Sequence, residues 1–149
     1  MMNQKPTERD FDPWNGNLDA QCAWRNFGGL TLDEAHAKFR ENPLRYQEDF
    51  MWMGGRAFAY YFPVVEDHLR TVSDTDRDDD HESWILAHCI QTQFDDDNLI
   101  HVRHLAPRVI ELAGFVCDNI HRFGAYNGDR QRVADAWTVL VDHVEAATK

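Results

Sequence analysis

The stretch from Tyr46 to Arg70, YQEDFMWMGGRAFAYYFPVVEDHLR, decides the fold. It holds seven of the eighteen Phe, Tyr and Trp residues in the chain. Positions 46, 50, 53, 57, 61 and 64 fall on one apolar stripe at helical spacing, and 51, 58, 62, 65 and 69 fill a neighbouring one. So wide an apolar arc predicts a central helix touched by others on several sides. Two features interrupt it. Gly54-Gly55 costs about 1 kcal/mol per glycine relative to alanine, and Pro63 removes a backbone donor. The pattern predicts two helices, about 46–61 and 63–72, with Pro63 in the first turn of the second.

On the N-terminal side, residues 1–16 are polar and turn-rich, with Asp12-Pro13 and Asn15-Gly16, and predict a loosely ordered arm whose Phe11 and Trp14 dock on the body. Residues 17–149 then form a single helical domain. Asn17 is a good cap for a first helix that ends at Gly28-Gly29. Thr31 and Glu34, three apart, predict a capping box at the next helix, which Asn42-Pro43 stops.

On the C-terminal side, residues 73–80 (SDTDRDDD) read as a charged connector before a helix from His81 to Phe94, with Leu86, Cys89, Ile90 and Phe94 inward. The run Asp95-Asp96-Asp97 is unfavourable at a helix C-terminus, so it is assigned to the start of the following helix. That helix passes through Pro107 to Phe123, and the last begins near Asp129. No period-two alternation stands out. The expected fold is all-α, a single-domain bundle of about six or seven helices around the central aromatic-rich helix.

The 26 acidic and 15 basic residues give a net charge of −11, which repels phosphate backbones and anionic membranes and favours a basic partner. Nucleic acid and membranes are therefore not expected partners. The three cysteines, Cys22, Cys89 and Cys117, lack CxxC spacing, and no secretory leader or membrane span is visible, so a cytoplasmic protein is expected.

Motifs that carry chemistry are incomplete. Asp74, Asp76 and Asp78 resemble the opening of a calcium loop, but Asp79 stands where a glycine is needed and Ile85 where a bidentate glutamate belongs. His101 and His104 share a helix face without further ligands that the spacing identifies, so no metal site is assigned. Cys117 and His121 are four apart, but Cys117 lies mid-helix and reads as a small core residue. Glu48 and Asp49 read as a solvated face. No catalytic residue and no cofactor is assigned.

These observations point to a small acidic binding protein without catalysis, an inhibitor or immunity protein for a basic protein partner. The alternative is a helical enzyme that binds a metal or small molecule through His and Asp or Glu residues, and a homodimer is a third arrangement. The expected partner-binding residues are Trp52, Arg56 and Tyr60, at i, i+4 and i+8 on one helix face, with Asp78, Asp79, Asp80, Asp95, Asp96 and Asp97.

Overall fold

The computed structural model describes residues 4–72, 83–123 and 127–149. Its regular structure is helical, with no strand among the described residues. The α-helices are α1 (Glu8–Phe11), α2 (Leu18–Phe27), α3 (Leu32–Glu41), α4 (Pro43–Tyr46), α5 (Asp49–Trp52), α6 (Gly55–Thr71), α7 (Ser83–Gln93), α8 (Leu99–Val102), α9 (Ala106–Asp118) and α10 (Asn127–Ala147). Short 3-10 turns at Asp96–Asn98, Arg103–Leu105 and Ile120–Arg122 link the later ones.

Local signals set the early helix starts. Asn17 accepts from the Ala20 amide at 2.9 Å. Thr31 and Glu34 exchange the two bonds of a capping box at 2.9 and 3.2 Å, satisfying two amides that a helix start otherwise leaves unpaired. Gly29 ends the α2 turn with φ +79°, a conformation that costs glycine little. A second capping box, Thr7 with Asp10, builds α1 inside the segment expected to be a loose arm. Phe11 at its end is fully buried and stacks on Trp24 and Tyr61.

The decisive stretch is broken in a different place from the one its pattern predicts. The chain runs as α4, α5 and α6, and Pro63 lies inside the seventeen-residue α6 instead of opening a new helix. The interruption falls at Met53-Gly54, both extended. Tertiary contacts hold it there: the Gly54 amide donates to the Phe11 carbonyl at 2.8 Å and the Gly55 amide to Asn98 Oδ1 at 2.8 Å. A Cβ on Gly54 would overlap the Asp10 carbonyl, and one on Gly55 would lie 2.8 Å from the Asn98 carbonyl oxygen. The loss of one hydrogen bond at Pro63, about 3 kcal/mol, is outweighed by apolar burial on either side, where Phe58, Phe62, Val64 and Val65 are all excluded from water.

Gly54→Ala is accordingly expected to lower stability by about 2 kcal/mol or more, because the added methyl meets backbone that cannot swing aside. Gly114→Ala in α9, where nothing lies within 4 Å, is expected to raise it by about 0.5–1 kcal/mol. Urea unfolding of the two variants gives the opposite signs if the glycines differ as described.

Helix α6 lies against α1, α3, α8 and α9, while α10 covers α7 and α9. Phe27, Phe50 and Tyr61 meet at ring-centroid distances of 5.4 and 6.2 Å about Phe27, and Phe39 closes edge-on to Phe50 at 5.4 Å. The Tyr61 hydroxyl lies 2.7 Å from the Leu30 carbonyl and 3.0 Å from that of Phe27, pinning the end of α2. No helix among the described residues is long and apolar enough to cross a membrane.

Two further expectations are corrected. Cys117 is exposed, not a core residue, because the buried face of α9 is carried by Val109, Leu112, Ala113 and Val116. Asp49 is buried while Glu48 is exposed, so the two carboxylates do not form a solvated face.

Candidate functional site

The loop between α1 and α2 is held by one carboxylate. Asp12, 3% exposed, accepts from the Gly16 amide at 2.7 Å, the Gln21 side chain at 2.8 Å and the Asn17 amide at 3.4 Å. Burial alone would raise its pKa, but these hydrogen bonds to the charged form win and lower it. The tight turn needs Asn15 at φ +58° and Gly16 at φ +126°. Trp14 sits in this turn, 41% exposed, and its Nε1 donates to Asp97 Oδ2 at 3.3 Å.

The facing walls come from α5 and from the turn after α7. Trp52, the last residue of α5, is 40% exposed beside Met51. Asp95, Asp96 and Asp97 follow α7 and stand at the start of a 3-10 turn, yet none caps it. Asp96 takes φ +48°, which an aspartate tolerates better than most residues. Asn98, buried and bonded to the Gly55 amide, ties this acidic turn to the start of α6. Asp95 Oδ1 lies 2.8 Å from His143 Nε2 on α10, and the Asp96 carboxylate has no partner among the described residues.

Trp14, Met51, Trp52 and the three aspartates line one open cleft of about 260 Å³. Two indole faces and three carboxylates in one cleft suit a cation: the rings attract it electrostatically and the carboxylates accept its hydrogen bonds.

The expected partner residues are thus partly brought together. Trp52 joins Asp95, Asp96 and Asp97 in the cleft. Arg56 lies across the helix break, so it does not continue a face from Trp52, and it lines a separate cavity. Tyr60 is half-buried, edge-on to Tyr61 at 4.8 Å. Asp78, Asp79 and Asp80 lie outside the described residues, as does the calcium-like Asp74–Asp78 run. Trp14 is a wall that the sequence reading placed on the body without a role; its signal was an aromatic residue set between two turn dipeptides.

The Cys89 and Cys117 thiols are both pushed above their ordinary value. Burial, with Glu48 and Asp49 adding, pushes the Cys89 thiol up to about 12, and its sulfur contacts the Gln47 carbonyl at 3.4 Å. Burial and then Asp118 raise the Cys117 thiol. His101 lies in α8 and His104 in the 3-10 turn that continues it. Among the described residues no three His, Cys, Asp or Glu side chains stand together as a metal-holding group.

Compared with known proteins, the chain matches no family profile, no curated sequence and no solved structure.

Proposed function

We propose that this chain is an acidic binding protein of inhibitor or immunity type that takes a basic segment of a protein partner into the Trp14–Trp52 cleft, without catalysis of its own. The observation that supports it is the meeting of the two exposed tryptophans with Asp95, Asp96 and Asp97 in one cleft. A lysine or arginine side chain lies over an indole face and donates to the carboxylates, while its alkyl stem covers Met51. The net charge of −11 speeds encounter with such a partner. Asp78, Asp79 and Asp80 add negative charge that favours the basic partner in this reading, and Arg56 and Tyr60 contact the partner outside the cleft. The setting is cytoplasmic, and the scaffold is one domain, a bundle counted as about six or seven main helices around the aromatic-rich α6.

Tryptophan emission tests this directly with synthetic peptides of matched length, one lysine- and arginine-rich and one glutamate-rich. The basic peptide is expected to shift the emission and bind at least about tenfold more tightly than the acidic one, a difference of about 1.4 kcal/mol. Trp52→Ala and Asp96→Lys each weaken it by a similar factor, and 0.5 M salt, about a 4 Å screening length, weakens it further. Equal binding of both peptides, or indifference to Asp96→Lys, overturns the reading.

A further inference from the structure

A separate cavity of about 260 Å³ carries the opposite charge. Three cationic or proton-donating side chains line it from elements far apart in sequence: Arg9 of α1, Arg56 of α6 and His101 of α8. In a chain where acidic residues outnumber basic ones 26 to 15, such a gathering runs against composition. Among the described residues none of the three makes a hydrogen bond or ion pair. Among the described residues several other arginines are engaged, since Arg108 pairs with Glu66, Arg70 lies over Phe115 and Arg132 over Trp84, while Arg103 on the exposed surface is not. Asp10 also lines the cavity, and its Oδ2 accepts from the Thr7 amide at 2.9 Å and hydroxyl at 3.2 Å. With two arginines against one aspartate the lining keeps a net positive charge.

We infer that the Arg9–Arg56–His101 cavity is a binding site for the phosphoryl group of a small phosphomonoester. Each guanidinium presents a planar fork of two N–H groups, and His101 carries a ring N–H in either tautomer. That makes about five donors carried on three elements, whereas a carboxylate offers about four lone-pair positions. The three terminal oxygens of a phosphoryl group accommodate them all, and its greater negative charge is drawn more strongly than a carboxylate's to the net positive lining. The volume lies at the small end of ligand pockets, about 300 Å³, which suits a compact metabolite and not a nucleotide.

Isothermal titration with inorganic phosphate, glycerol 3-phosphate and acetate tests the assignment. Both phosphates are expected to bind in the millimolar range or tighter, and acetate at least about tenfold more weakly. Arg9→Ala and Arg56→Ala each weaken phosphate at least tenfold, while Arg103→Ala, an exposed arginine outside the cavity, leaves it unchanged. Among the described residues none of these arginines has a hydrogen-bond or ion-pair partner, so folding is expected to be retained, and circular dichroism checks it. If a variant unfolds, the wild-type amide resonances of Gly55, Arg56 and Ala57 report instead, moving on addition of phosphate. The site is overturned by any of four results: no binding at tens of millimolar, equal binding of acetate, equal losses in Arg103→Ala and Arg56→Ala, or binding of a phosphoserine peptide with none of the free phosphates. It stands or falls apart from the tryptophan cleft, whose test uses cationic peptides.

Discussion

Gln93→Leu is expected to lower the stability of the folded chain by about 4 kcal/mol, although leucine nearly preserves the volume. Gln93 on α7 is fully buried, and its Nε2 donates to the Met53 carbonyl at 2.7 Å and the Phe50 carbonyl at 3.0 Å, with the Met51 carbonyl at 3.5 Å. These carbonyls belong to the end of α5, where the helix stops at Met53 and leaves acceptors without amide partners. One amide side chain thus does what the missing next turn of helix would have done. Leucine removes the donor and leaves the carbonyls dry, at about 1–3 kcal/mol for each good bond lost. Urea unfolding reads the change. A loss under about 1 kcal/mol would mean that water reaches the α5 end and Gln93 is not its cap.

Asp49→Asn is expected to act in the opposite direction and only above mildly acidic pH. Asp49 is 8% exposed, and desolvation raises its pKa to about 6 against the opposing effects of Asn26, which donates at 2.7 Å, and of Lys38. Glu48 raises it further and Arg45 lowers it, while Lys38 is itself bonded to the Asn26 carbonyl and lies near the Phe27 and Tyr46 rings. A carboxyl whose pKa is higher folded than unfolded holds its proton more tightly in the native state. Its contribution is therefore fully present below the ordinary value of 3.8 and lost as pH rises through about 6. The shift corresponds to about 2–3 kcal/mol. Asparagine accepts the same Asn26 bond with no charge to desolvate. Wild type and variant are expected to be equally stable near pH 4 and to differ by about 2–3 kcal/mol, variant higher, at pH 7 to 8. A difference constant from pH 4 to 8 would remove the carboxyl from the account.

Much of the fold was legible where physics is local. Thr31 with Glu34, Asn17, and Asn42-Pro43 each act within one turn of chain, so residue identity suffices to locate a helix end. The aromatic surplus likewise marked the interior, since Phe50, Phe58, Tyr61 and Phe62 are all fully buried. What periodicity could not convey was which of two plausible breaks the chain would use. Pro63 carries the larger intrinsic penalty, but the neighbours of Gly54 come from α1 and the Asn98 turn, and no local scale contains them. The displaced break then separated Trp52 from Arg56 and undid the common face expected of them. Asp95, Asp96 and Asp97 were recognisable from their charge alone, whereas their meeting with Trp14 depends on a loop folded about the buried Asp12. Arg56 and His101 stood out in the sequence for other reasons and Arg9 for none, and their meeting depends on adjacency in space alone.

The joint at Gly54-Gly55 has a kinetic side as well. Its partner Asn98 is 43 residues away along the chain, and Gln93 reaches back over the same distance to Phe50. Closing such loops costs entropy that only later contacts repay, whereas the capping boxes of α1 and α3 close within four residues. The helices accordingly form before the joint, and the joint is the clasp fastened last. Gly54→Ala, which disturbs only the clasp, should therefore hasten unfolding while leaving the refolding rate close to that of the wild type.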